Sequence, residues 1–429
     1  MQNNNVKADP VTPIFEWINL EYDYPSEEAR ENAINSGEFI EGSPRISDVD
    51  VYYKDKNTQE VFVTSPRSVN GVPVTLGTVT KKTYNGNPVI APYPSWDWHG
   101  NLTSCPENRI VSVFRIHIDD CSRPRLWIID SGFTLLHKCP PQVLAFDLKT
   151  NQLIHRYEIP SAQLQSNSVL AGVITDVKNR NTCNDTFLYL ADTRGFAIIV
   201  YNVNLKTSWR VSDKSMFAVP DYGVLCISGS QFELMDGLQS VALSPYVEGE
   251  DRVLFYHALA SNTENWLWTS KLQNWTGVLN SSIFHLYCGR RSTQSSVMAI
   301  AKNGVAFFGL ASPTSIDCWN TFNTYGNEFI YEVYKNETTL QHISGLKIIT
   351  DPSGREELWF ANTRASRIQN GPTNDKITNF RVQKALISDL LKHSKCNETY
   401  KPMAKDYLPG YCYADNLDCL KCFNSITGD

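Results

Sequence analysis

Few side chains in this chain are spaced for chemistry. Asp119 and Asp120 stand side by side, and two carboxylates can share general acid–base work. They close a strand-like run, where neighbours point to opposite faces, so a strand terminus is the better reading. Asp130, Asp192 and Asp236 each end or begin an apolar strand. Three such carboxylates around an axis could hold Ca²⁺; capping turns through Asx hydrogen bonds is the simpler role. The eight histidines (99, 117, 137, 155, 257, 285, 342 and 393) show no ligand spacing. His117 and His155 sit in alternating strand patterns and read as surface or cross-strand residues. Cys419-Leu-Lys-Cys422 is the one C-x-x-C, with no second pair to complete a zinc site. No G-x-S-x-G, H-E-x-x-H, P-loop or G-x-G-x-x-G occurs. The residues therefore predict no metal, no cofactor and no enzyme.

Composition narrows the classes further. The 429 residues are 42% hydrophobic and 20% charged, with a net charge of −6. Such a chain can bury a large core, and it lacks the basic footprint a nucleic-acid partner needs. No run reaches the ~18 apolar residues of a membrane span; Val297–Ser312 is broken by Lys302 and Asn303. Eleven cysteines, most of them far apart, suit long-range cross-links in an oxidising compartment, and the odd count leaves at least one thiol over. Six N-glycosylation sequons, at Asn101, Asn184, Asn274, Asn280, Asn336 and Asn397, point the same way. The start Met1-Gln2-Asn3-Asn4-Asn5 has no apolar leader and reads as a mature chain with an added initiator Met. A secreted, glycosylated, disulfide-bonded monomer with no membrane contact is expected.

The elements that must position these residues are short strands. Only Glu27–Ser36 and Lys384–Ser394 have helical apolar spacing. One apolar strand recurs as Val61–Thr64, Leu126–Asp130, Phe187–Asp192, Val253–Tyr256, Val305–Phe308 and Leu358–Asn362. Six units of roughly 50–65 residues with about four strands each fit a six-bladed β-propeller, with a β-sandwich pair as the plainer all-β alternative. A blade cannot bury both faces alone, so a ring of neighbours makes one core. Residues 13–395 are assigned to this single domain and 396–429 to a Cys-rich extension. Ile14–Leu20 is the candidate strand that closes the ring.

The chain also resembles the yellow/major royal jelly protein family in ordered matches from about residue 13 to 395. These include Asp48-Val-Asp-Val-Tyr-Tyr53, Val61-Phe-Val-Thr-Ser-Pro-Arg67, Tyr93-Pro-Ser-Trp-Asp-Trp98 and Leu126-Trp-Ile-Ile-Asp-Ser-Gly132. Tyr189-Leu-Ala-Asp192, Cys318-Trp-Asn320 and Leu358-Trp-Phe-Ala-Asn362 continue the series. Within that family it is most similar to the yellow-related salivary proteins of blood-feeding sand flies. The resemblance implies a propeller with a central ligand channel that sequesters serotonin, dopamine, noradrenaline, adrenaline or histamine. Such binding would counter vasoconstriction, platelet activation and inflammation in a host. A yellow-type enzyme acting on oxidised catechols and a non-binding immune-modulating salivary protein are the alternatives.

By the same resemblance, the hydroxyl of Ser344, the side chain of Asn362 and the main-chain carbonyl of Arg364 would hold the ammonium. The family has Thr and an aromatic residue where this chain has Ser344 and Arg364. An inward Arg364 side chain would repel an amine or plug the hub. Trp359 and Phe360 alternate along one strand, so either one of them, Phe360 being the candidate, faces the ligand or both are blade core. A micromolar guest needs about −8 kcal/mol, which three acceptors at about 1.5–3 kcal/mol each and a buried ring can supply in a preformed site.

Overall fold

The computed structural model describes residues 9–100, 105, 108–135, 138–274, 281–364, 376–397 and 411–413. Six sheets, antiparallel except for the short outer strand Glu21–Tyr22 of blade 1, form the blades of a β-propeller. From blade 1 to blade 6 their innermost strands are Asp48–Tyr53, Val113–Ile118, Leu170–Val177, Leu238–Leu243, Ser295–Ile300 and His342–Thr350. Each inner strand touches the next, and the sixth touches the first, so the ring is closed.

The recurring apolar strands seen in the sequence are the second strands of the six blades. A second strand has partners on both edges and a neighbouring blade against each face. Arg125–Asp130, Val253–Ala258 and Val305–Leu310 are accordingly buried at every position. The outermost strand of blade 2, Gln152–Glu158, instead alternates exposed and half-buried residues. That contrast is why one strand per blade stood out as an unbroken apolar run.

Closure uses both ends of the domain. Val11–Trp17 pairs antiparallel with Phe380–Leu386 and becomes the fourth strand of blade 6, three residues earlier than Ile14–Leu20. Arg381 Nε donates to Glu16 Oε1 at 2.7 Å across this seam, and Trp17 Nε1 donates to the Pro88 carbonyl of blade 1 at 2.8 Å. Glu27–Ser36 is the helix its spacing predicts, with Ser26 Oγ accepting from Ala29 N and Gly37 closing it at φ 77°. Lys384–Ser394 is helical only over Ile387–Leu391. Lys384–Leu386 completes the strand because its backbone pairs with Glu357–Trp359, while Ala385, Ile387 and Leu390 share one core. No described helix is long and apolar enough to cross a membrane.

Disulfides join Cys105 to Cys139, Cys121 to Cys183 and Cys318 to Cys396, and Cys226 is an exposed free thiol. The second bridge links blade 2 to blade 3, and the third pins the chain after its last helix to blade 5. Such bonding fits an extracellular protein. The backbone of Tyr411–Tyr413 adds a strand beside His285–Tyr287 on blade 4. Asn184, Asn274 and Asn397 are exposed and Asn336 is half-buried. Asn101, Asn280, His137 and the pair Cys419 and Cys422 lie outside the described residues.

Candidate functional site

The inner strands of blades 2 to 6 all slip register near their beginning, between Val113/Ile116, Leu170/Gly172, Leu238/Ser240, Ser295/Met298 and Ile343/Gly345. A bulge leaves an unpaired residue and re-aims its groups. Here the bulges turn main-chain carbonyls toward the axis. Arg115, from the bulge of blade 2, spans the hub to meet three of them: Nη1 donates to Gln239 O at 2.8 Å, and Nη2 donates to Ser296 O at 3.0 Å and Ser344 O at 3.4 Å. Those acceptors belong to blades 4, 5 and 6. A guanidinium seated among carbonyl dipoles therefore crosses the channel. Burial lowers its basicity while the Asp48 carboxylate supports its charge.

Beyond Arg115, toward the ends of the inner strands, lies a chamber of about 190 Å³. This is below the roughly 300–1,000 Å³ of drug-sized pockets, a size for one small ring system. Asp50, Arg115, His117, Asp120, Thr175, Ser240, Arg252 and Lys347 supply its polar lining, and Ala242, Met298 and Ile300 supply apolar wall. Lys347 Nζ bridges both oxygens of Asp48 at 2.9 and 2.7 Å, and Ile116 N donates to Asp48 Oδ2 at 3.0 Å. Gly345 lets the strands of blades 6 and 1 approach, since a Cβ there would stand 2.7 Å from Asp48 Cα. Asp50 accepts from Val51 N and Ile118 N, both at 2.8 Å. Burial, aided by the Asp48 charge and opposed by Lys347, pushes the Asp50 carboxyl up to about 7. His117 bonds Thr175 Oγ1 through Nδ1 at 2.8 Å and is held neutral, pulled down to about 3 by burial and by Lys347. His117 is thus a hub residue that faces Trp127 across its own sheet and bonds the inner strand of blade 3, the cross-strand rather than the surface reading of its pattern. Among the described residues no group of three or more His, Cys, Asp or Glu is placed to hold a metal ion.

Ser344, Asn362 and Arg364 come together at the opposite end of blade 6. Ser344 Oγ donates to Ile46 O at 3.2 Å and lies 3.4 Å from Ala361 O. Thr363 Oγ1 also donates to Ile46 O. Asn362 is buried, with Nδ2 donating to Gln383 Oε1 at 2.6 Å, and Arg364 N donates to Asn379 O at 3.0 Å. Near this end of blade 6 His342 is held neutral, at about 4, first by burial and then by the charge of Arg115. Phe360 is fully buried. It packs between blades 5 and 6 among Phe307, Ile343 and Leu346, and Trp359 packs between blades 6 and 1 against Val49 and Val61. Both rings are blade core because a second strand has a neighbour on each face.

The carboxylates singled out in the sequence have local roles. Asp130 accepts from the backbone N–H groups of Val111, Ser112 and Gly132. Asp192 accepts from Val169 N and Gly195 N, and Asp236 pairs with Arg194 at 3.4 Å. Asp119 turns inward to Arg125 at 2.6 Å, whereas the exposed Asp120 meets Arg180 at 2.9 Å. The two do not form a dyad.

Known proteins give the context for this hub. The family described as "Major royal jelly protein" matches residues 111–396. Major royal jelly protein 8 of Apis mellifera is 34% identical over 402 residues, which are 89% of this chain and 92% of that protein. The chain belongs to the yellow/major royal jelly protein family. Major royal jelly protein 9 of the same species is 32% identical across 91% of both chains. A Drosophila melanogaster relative named dopaminechrome tautomerase is 28% identical over 90% of this chain and 83% of its own. In this major royal jelly protein relative, the hub residues that motif reasoning missed are Asp48, Asp50, Arg115 and Lys347. Their signal was present: Asp48 and Asp50, like Arg115 and His117, are charged or polar residues two apart in otherwise apolar strands, the period that puts both on one face.

Proposed function

We propose that this protein is a secreted, non-catalytic binder of small biogenic amines, among them serotonin, catecholamines and histamine, which takes its guest at the propeller hub. In the saliva of a blood-feeding insect it would remove host amines that constrict vessels and activate platelets. The observation that carries the reading is the seat of Arg115: carbonyls from three blades already hold an organic cation on the axis. A rigid closed ring supplies the preorganisation such a guest needs. Calorimetry against a panel of amines tests it. Saturable binding near one to one is expected; absence of heat for every amine would reject it.

One observation favours a second reading. Asp50 carries a carboxyl titrating at about 7 beside the chamber, where a general acid–base group works best at neutral pH, and a relative is named dopaminechrome tautomerase. Moving a proton from a ring carbon to a quinone oxygen is redox-neutral and needs no co-reactant. Turnover of an aminochrome well above its spontaneous rate, lost in Asp50→Asn, would establish this reading in place of simple binding.

A further inference from the structure

The two ends of the hub offer an ammonium group different chemistry. At the Asn362 end the polar atoms are engaged with one another, as Ser344 Oγ is with Ile46 O and Asn362 Nδ2 with Gln383. At the other end the charges pair unevenly. Lys347 is taken by Asp48, and Arg252 by Asp176 at 3.2 Å and by the Ser244 carbonyl. Asp120, at the rim, is taken by Arg180, and Arg115 by three carbonyls. His117 is neutral. Asp50 remains: 2% exposed, lining the chamber, and bonded to two backbone N–H groups, but with no ion pair among the described residues. A buried carboxyl whose nearby cation, Lys347, is already bonded to another carboxylate is the group most relieved by an incoming cation.

Resting on the amine-binding reading, we propose that Asp50 is the counter-ion of the guest's ammonium. The guest sits in the chamber on the far side of Arg115 from Asn362, with its ring against Ala242, Met298 and Ile300. Blades 4 and 5, which carry that apolar wall, lie across the axis from Asp50 on blade 1. An ammonium at Asp50 and a ring at Ala242 therefore span the chamber. Arg115 closes its inner end, so the guest enters from the rim beside Asp120. This arrangement ties affinity to proton release. The guest's ammonium stays charged over the neutral range, as an ordinary Lys does, whereas Asp50 must ionise to pair with it.

Titration calorimetry with serotonin and dopamine on the full chain, at pH 6, 7 and 8, tests this. In two buffers of different ionisation enthalpy, binding at pH 7 is expected to release about half a proton per guest. Affinity should rise about tenfold between pH 6 and 8, following the ionised fraction of a group near 7. Asp50→Asn should weaken binding at pH 8 by at least about tenfold and abolish the proton release. Binding by the wild type with no proton release and a flat pH profile overturns the assignment to Asp50 while leaving the amine-binding reading intact, and needs no variant to fold. Binding lost in Asn362→Ala but unchanged in Asp50→Asn does the same. No binding of either amine at any pH overturns both.

Discussion

Removing the Arg115 side chain probes the hub most directly. Arg115→Ala deletes two well-formed bonds from a guanidinium to main-chain carbonyls, at 2.8 and 3.0 Å, and a longer one at 3.4 Å. Hydrogen bonds to a charged group contribute about 1.5–3 kcal/mol each, so the two short ones set a gross loss of about 3–6 kcal/mol. Two effects reduce it. The guanidinium no longer has to be desolvated, and water reaching the opened channel can hydrate Gln239 O and Ser296 O. A net loss of about 2–4 kcal/mol remains, measured as the shift of the urea-unfolding curve. Arg115→Met keeps the aliphatic stem and should lose nearly as much, because the charge and donors carry the effect. Free guanidinium at low millimolar concentration should restore part of the Arg115→Ala loss where equal NaCl does not. A variant within about 0.5 kcal/mol of wild type, the range of ordinary surface changes, would refute the idea that this cation holds blades 4, 5 and 6 to blade 2.

Three further outcomes rest on other contacts of the fold. The bridge from Cys318 to Cys396 closes a separation of 78 residues, so Cys396→Ser should destabilise by about 2–4 kcal/mol, read by thermal unfolding without reductant. Gly345→Ala forces a methyl group to within 2.7 Å of Asp48 Cα, so a loss of about 1–3 kcal/mol is expected, with the Asp48–Lys347 pair disturbed as well. The folded state holds a proton on Asp50 that the unfolded chain, with an ordinary aspartate, releases. Stability should therefore fall as pH rises from about 4 to about 7, by up to about 1.4 kcal/mol per pH unit. In Asp50→Asn that part of the pH dependence should vanish.

The blade count was legible because of one strand per blade. Second strands are walled in on both faces, so Leu126–Asp130 and Val305–Phe308 read as continuous apolar runs, and six of them at regular intervals fixed the ring. The closing strand was legible only to within a few residues, since Pro13 and Phe15 flank a bulge that breaks its alternation. The site was harder. Asn362 could be placed at a strand end, but Trp359 and Phe360 could not be assigned to a face, because a strand buried on both sides carries no inside–outside contrast. Arg115 stood out as a charge in an apolar strand, but its role did not show. Its partners are main-chain carbonyls on three distant strands, and no sequence pattern reports where a backbone oxygen points.

That same side chain separates the readings of what the hub does. With Arg115 across the axis, Ser344 contributes its carbonyl to the plug and its hydroxyl to blade 1, so of the residues carried over by family resemblance Ser344 serves first to fasten blade 6 to its neighbours, while Asn362 and Arg364 bond within blade 6. A guest on their side would lie next to a guanidinium and a neutral His342, and would have to offset the repulsion with contacts from Arg364 and the strand ends. A guest on the other side meets Asp50, whose charge it would complete. The positive plug and the carboxyl without an ion pair lie along one short channel, and on the proposal above Asp50 would draw in a cation against the repulsion of Arg115, which also lines the chamber. An oxidised catechol, which carries carbonyl oxygens rather than an ammonium, would use the same chamber the other way round, with Lys347 facing its oxygens and Asp50 taking its proton. On either proposal the guest would occupy the same pocket, and the two would differ in whether Asp50 pairs with it or exchanges a proton with it.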